Sequence, residues 1–198
     1  MNRNTLIEVC ALSLLVAIGT AVRIYFRDLP NFAPVAAIAL FAGYFFRWKL
    51  VALIVPLSIM VLSDLVIGSY DWRMMAIVYG MLAMPVLWRG WLRRHFEVRP
   101  ESWRSLAGPS LSLVGCCLVS SLLFFVVTNF GCWVFFGGYA HNASGLIECY
   151  ASALPFFRNT LIGDAFFATA LFGGYAFVVG ILRRPVVSRD GTDLSPSI

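Results

Sequence analysis

The run Leu106–Phe136, LAGPSLSLVGCCLVSSLLFFVVTNFGCWVFF, holds no charged residue, and its only amide is Asn129. A helix exposed to water needs a polar face, and this run has none. It reads instead as a membrane-spanning helix, for which roughly 20 apolar residues suffice. Five more apolar runs surround it. Leu6–Phe26 contains Glu8 and Arg23; Leu50–Gly68 contains Asp64; Met74–Leu92 carries Arg89 in its last turn; Asn159–Leu182 contains Asp164. The remaining run, Ala33–Phe46, is short for a span at about 14–16 residues. Six helices are expected, or five if the short run is re-entrant.

The composition agrees. Of 198 residues, 60% are apolar and 13% charged, with a mean hydropathy of +0.83. Soluble domains run at about 45–50% and about 25%. A water-soluble globule, a disordered chain and a secreted disulfide miniprotein are therefore excluded. Long apolar windows without alternation favour helices over a barrel. The expected fold class is an all-α integral membrane bundle, with residues 1–185 as one domain and 186–198 as a polar, disordered cytoplasmic tail. Gly137–Phe157 is more polar and is expected to carry a short extra helix, Gly145–Leu154, in an outer loop. The first run lacks a convincing small-residue cleavage site, so a retained helix is expected rather than a signal peptide.

Orientation follows from Lys and Arg. With both termini in the cytoplasm, eleven of the fifteen basic residues fall inside and four (Arg23, Arg27, Arg73, Arg158) outside, the positive-inside pattern. The net charge of +5 is then explained by topology and anionic lipid, and no nucleic-acid partner is expected.

Polar residues within spans are costly and mark function by default. On this topology Asp64 lies about 6 Å and Asp164 about 9 Å below the outer ends of their helices. Arg23, Asn31, Asn129, Arg158 and Asn159 fall in the same outer zone. Asp64–Arg23 and Asp164–Arg158 read equally well as structural ion pairs, and Asn159 as a helix cap. Seven polar groups at one level favour a water-accessible cavity. The substrate-binding candidates are Asn31, Asp64, Asn129, Arg158, Asn159 and Asp164, with Phe130 and Trp133 as stacking walls.

Of five cysteines, Cys132 and Cys149 fall on the outer side, where a disulfide or a soft metal ligand is conceivable. No CxxC, HExxH, GxSxG or phosphate-binding glycine loop occurs, and there are two histidines, His95 and His141. Neither an enzyme nor a cofactor is expected. A membrane redox or other enzyme using Cys132 and Cys149, and a structural subunit without ligand, remain as alternatives.

Four stretches carry a resemblance: Pro30–Val35 with Leu40–Gly43; Leu62–Asp64; Thr128–Trp133; and Ala153–Asp164. Together they resemble short bacterial membrane proteins described as transport proteins. These are similar in turn to the substrate-binding S components of energy-coupling-factor (ECF) vitamin transporters, including solitary cobalamin-type S components. The resemblance implies a six-helix bundle in the bacterial inner membrane with an outward-facing pocket for a small vitamin-like solute. It also implies that Ala17 and Ala21 dock an ECF-type coupling subunit with its ATPases. The cobalamin branch is expected to present a cysteine to cobalt. Met74–Leu92 contains none, which leaves Cys132 as the weak candidate ligand.

Overall fold

A charge-free apolar run in lipid must satisfy every backbone N–H and C=O internally, and the helix does this within one segment. The computed structural model, which describes residues 2–96 and 107–182, is accordingly helical, with no strand among the described residues. Its helices are α1 (Arg3–Tyr25), α2 (Val35–Phe45), α3 (Lys49–Ile67), α4 (Trp72–Ala83), α5 (Arg89–His95), α6 (Ala107–Phe135) and α7 (Ala143–Leu182). A 3-10 turn, Met84–Trp88, joins α4 to α5. Pro85 within it has no N–H to continue the α-helical ladder. Five stretches are long and apolar enough to cross a membrane: Thr5–Tyr25, Lys49–Ile67, Trp72–His95, Leu111–Phe135 and Ala143–Ile181. The expected tail 186–198 and the basic residues Arg99, Arg104, Arg183, Arg184 and Arg189 lie outside the described residues.

The short second run becomes the centre of the molecule. α2 has 11 residues, about 16 Å at 1.5 Å per residue, half the roughly 30 Å hydrocarbon core. Every residue from Val35 to Gly43 is buried. Its neighbours are α1, α3, α4, the 3-10 turn, α5, α6 and α7. Small residues allow this approach. A Cβ on Gly43 would stand 3.1 Å from the Val86 carbonyl oxygen and 3.2 Å from the Val86 Cα. Gly19 of α1 likewise faces Ile38 and Ile59 at distances no Cβ could keep.

Pair contacts fix the directions. Gly19 meets Ile59 and Arg23 meets Asp64, so α1 and α3 run parallel. The chain between them must therefore return through the bundle, and α2 carries it. At the far end of α2 the last carbonyls are orphaned. Arg93 Nε donates to the Tyr44 carbonyl at 2.9 Å, and Arg89 Nη2 to the Arg47 carbonyl at 2.7 Å. The Phe46 carbonyl accepts from both guanidinium groups. Two positive charges at a helix C-terminus also oppose its dipole favourably.

The last helix differs from the sequence expectation. The segment Gly145–Leu154 is helical, but it is continuous with the final span in one helix of 40 residues, with Pro155 inside it. The chain before α7 is pinned by Asn142, whose Oδ1 accepts from the Gly145 N–H at 2.9 Å. A Cβ on Gly145 would fall 2.1 Å from the Ala140 carbonyl oxygen, so a side chain is sterically barred here. Because α7 starts at Ala143 and not at Asn159, Asn159 caps nothing. Asp164 is 21 positions into this longer helix, roughly 30 Å from Ala143 along its axis and still about 9 Å beyond Arg158.

Candidate functional site

Three separate polar groups replace the single cluster expected from sequence. The first joins α1, α3 and α4. Arg23 Nη1 pairs with Asp64 Oδ1 at 2.5 Å, and Tyr79 Oη donates to Asp64 Oδ2 at 2.7 Å. Arg23 also donates to Ser63 Oγ, whose hydroxyl lies 2.6 Å from the Ile59 carbonyl oxygen. The Asp64 side chain is 6% exposed and that of Arg23 17%. Both carboxylate oxygens are satisfied and the charges match, so this network is a lock between helices. Above it, in the α3–α4 connection, burial and then the negative charge of Asp64 raise the Tyr70 phenol above its ordinary pKa.

The second group is Asp164 with Ser121. Ser121 Oγ on α6 donates to Asp164 Oδ2 at 2.6 Å. Asp164 is 4% exposed, yet no cation lies within ion-pair distance of it among the described residues. The expected partner, Arg158, is exposed and unpaired there. Geometry accounts for this. Six residues along a helix turn about 600°, which sets the two side chains about 120° apart around α7.

The third group is the tip of the α6–α7 hairpin. Trp133 Nε1 donates to the Ala140 carbonyl at 3.0 Å, and its ring meets Phe130 at 5.7 Å and His141 at 5.4 Å. Asn129 turns back along its own helix, Nδ2 donating to the Phe125 carbonyl at 2.7 Å. Cys132 and Cys149 are free thiols, and Cys149 Sγ lies 3.5 Å from the Asn129 carbonyl oxygen. No group of three or more His, Cys, Asp or Glu gathers among the described residues.

A cavity of about 170 Å³ connects the first two groups. At about 30 Å³ per water molecule in the liquid, it would hold roughly half a dozen waters or one small solute. Arg23 reaches it from α1, and Phe26, Arg27, Asn31 and Phe32 from the α1–α2 connection. Ala36 of α2, Val78, Met81 and Leu82 of α4, and Ser120 and Phe124 of α6 form its walls. Thr160 and Asp164 close it from α7. Asn31 holds a left-handed backbone, φ 61°, which asparagine tolerates better than most residues. Asn159 Nδ2 ties α7 to this connection through the Pro30 carbonyl at 3.1 Å. Asp164 also lines a second cavity of about 150 Å³, walled by Leu113, Cys117 and Leu118 of α6 and Leu161, Ala165 and Thr169 of α7.

Of the candidate residues, Asn31 and Asp164 line the first cavity, Asp64 supports it through Arg23, and Asn159 holds its rim. Asn129, Phe130, Trp133 and Arg158 do not line it. Ser63, Tyr79, Ser120, Ser121 and Thr160 escaped the sequence reading because neutral hydroxyls in an apolar span carry no charge signal. Ser63, next to Asp64, and Thr160, one turn before Asp164, leave a trace in the spacing, whereas Tyr79, Ser120 and Ser121 come from other helices. Ser120 accepts from Trp88 Nε1 at 3.0 Å, one position from Ser121.

A family model described as "Family of unknown function (DUF6580)" matches residues 3–186. No curated protein and no solved structure matches the chain.

Proposed function

The chain belongs to the DUF6580 family, and from the geometry of its site we propose that it is a membrane-embedded binding protein for the uptake of a small vitamin-like solute. The observation that carries this reading is the cavity itself. It lies among helices otherwise apolar enough to span a membrane, and Arg23, Asn31, Ser120, Thr160 and Asp164 all reach it. Polar groups gathered around a concave, largely apolar space are the pattern of a ligand site. The reading carries the resemblance to ECF S components with it: six chain crossings with both termini inside, in a bacterial inner membrane, and a pocket open to the outside. Cobalamin, the candidate that the resemblance brings, is many times larger than a space of about 170 Å³, so the reading commits to a far smaller solute.

The partner surface belongs to the same reading. Gly19 is spent on packing inside the bundle, while Ala17 and Ala21 are exposed on the other side of α1. A small-residue face of this kind admits another helix closely, as docking of a coupling subunit with ATPases requires. Copurification of such a subunit with the wild type, and its loss in Ala17→Trp/Ala21→Trp, is the expected result.

Native mass spectrometry of the protein released from detergent tests the central claim. The expected result is a stoichiometric small-molecule adduct that disappears in Ala36→Phe, where the new ring fills the cavity. A correctly folded wild type with no adduct, and no stabilisation by any vitamin-like solute, would overturn it. Cys132→Ser/Cys149→Ser is expected to keep the adduct; its loss would favour the redox reading.

A further inference from the structure

We propose that the cavity selects a ligand bearing a compact organic cation, such as a protonated amine, whose positive charge is met by Asp164. This rests on the solute-binding reading above and names the chemical class the site takes.

The acidic charges near the cavity are not equivalent. Asp64 is matched by Arg23 and capped by Tyr79, so it has nothing left to offer a ligand. Asp164 is as deeply buried, but its only partner among the described residues is a neutral hydroxyl on one oxygen, Oδ2. A buried carboxylate without a countercharge is costly, and the cost is removed by supplying one. Arg23 is committed elsewhere. Arg27, the other guanidinium at the cavity, has its side chain 58% exposed beside Asp28 at the mouth. Among the described residues, the bundle thus leaves one unmatched carboxylate facing a space of about 170 Å³.

The rest of the lining says what kind of cation fits. Phe26, Phe32 and Phe124 present aromatic surface to the same space. The rings of Phe26 and Phe32 meet edge-on at 5.2 Å, and Phe32 continues to Phe167 at 5.4 Å. Aromatic faces attract organic ammonium groups and accommodate their apolar bodies. A bare metal ion would want several oxygen ligands in their place, and no group of three acidic, His or Cys side chains gathers among the described residues. Ser120 and Thr160 line the same cavity as Asp164, and their hydroxyl oxygens can accept from the remaining N–H groups.

The test uses the full chain in detergent or nanodiscs and three matched probes: benzylammonium, benzyl alcohol and benzoate. They share one ring and differ in charge. Binding is read by thermal shift and by isothermal titration. Benzylammonium is expected to bind at least about tenfold more tightly than either companion, as a charge-assisted hydrogen bond supplies. Asp164→Asn, nearly isosteric, is expected to erase that preference. Equal affinities in the wild type, a preference for benzoate, or a preference surviving in Asp164→Asn would overturn the assignment. So would stabilisation through Asp164 by sodium ions but not by benzylammonium. Binding of benzyl alcohol or benzoate that Ala36→Phe abolishes, without any cation preference, would leave the solute-binding reading standing and remove only the cation. If none of the three probes binds the wild type, the cation assignment falls. The native adduct measurement then decides the broader reading separately. The ranking of probes on the wild type needs no variant, so it stands even if Asp164→Asn fails to fold.

Discussion

Asp64 and Asp164 are the same residue type, each in an apolar helix, each less than a tenth exposed. What separates them is the set of groups within 3 Å. Removing one member of a buried ion pair leaves the other charge stranded, at about 3–5 kcal/mol. Asp64→Ala is therefore expected to lower unfolding free energy by about that much. Tyr79→Phe deletes one hydrogen bond to a carboxylate and is expected to cost about 1–3 kcal/mol. Denaturant unfolding in mixed micelles measures both. A double-mutant cycle of Arg23→Gln with Asp64→Asn is expected to show strong coupling, because the two side chains share one network. A cycle of Asp64→Asn with Arg158→Gln is expected to show none. The sequence identified both aspartates as unusual. It could not tell which one was paired, since the pairing depends on the helical phase of residues far apart in the chain.

Among the elements, α2 carries the most consequence for its size. An 11-residue helix in isolation is marginal, and this one persists because every side of it is packed and its end is capped by side chains from α5. Arg93→Ala is expected to destabilise the protein by about 1 kcal/mol, because the Tyr44 and Phe46 carbonyls lose a charged donor that water at this exposed position replaces only in part. Gly43→Val would place a branched side chain against the backbone of Val86 and is expected to prevent normal folding, read as loss of a monodisperse species on size exclusion. Gly80→Ala, where an added Cβ meets nothing within 4 Å, is the matched control and is expected to be neutral or slightly stabilising. The shortness of Ala33–Phe46 was visible in the sequence. That it would be enclosed by protein on every side followed only from its neighbours. In α7 the polar stretch around Glu148 and Tyr150 reads in the sequence as a short helix of its own in an outer loop. Helix continues through it because Asn142 and Gly145 fix the start and because Tyr150 Oη reaches the Val126 carbonyl of α6 at 2.7 Å.

For the molecule as a whole, the parallel course of α1 and α3 sets the topology of everything between them. On the proposed six-crossing topology, Asn2→Cys and Lys49→Cys are expected to react with an impermeant maleimide from one side of the membrane, and Ser69→Cys and Asn142→Cys from the other. The background for this labelling is the protein with its five cysteines replaced by serine or alanine. Labelling of Asn2→Cys and Lys49→Cys from opposite sides would overturn the six-crossing arrangement. The same global packing turns local residues into a cavity. Arg23, Ala36, Leu82, Ser120 and Asp164 come from five helices and meet in one space, although no two of them are neighbours in sequence.

The sequence by itself determined that this chain is helical and apolar enough to span a membrane, because uncharged runs of this length have one stable backbone solution in lipid. It also marked Asp64 and Asp164, because a carboxylate in such a run is conspicuous. The tertiary structure alone decided that the first is locked in an ion pair and the second faces a cavity with no countercharge among the described residues. The physical reason is that charge matching is a property of distance in space. Here that distance is set by how α1, α3, α6 and α7 pack around a short central helix, which periodicity along the chain does not encode.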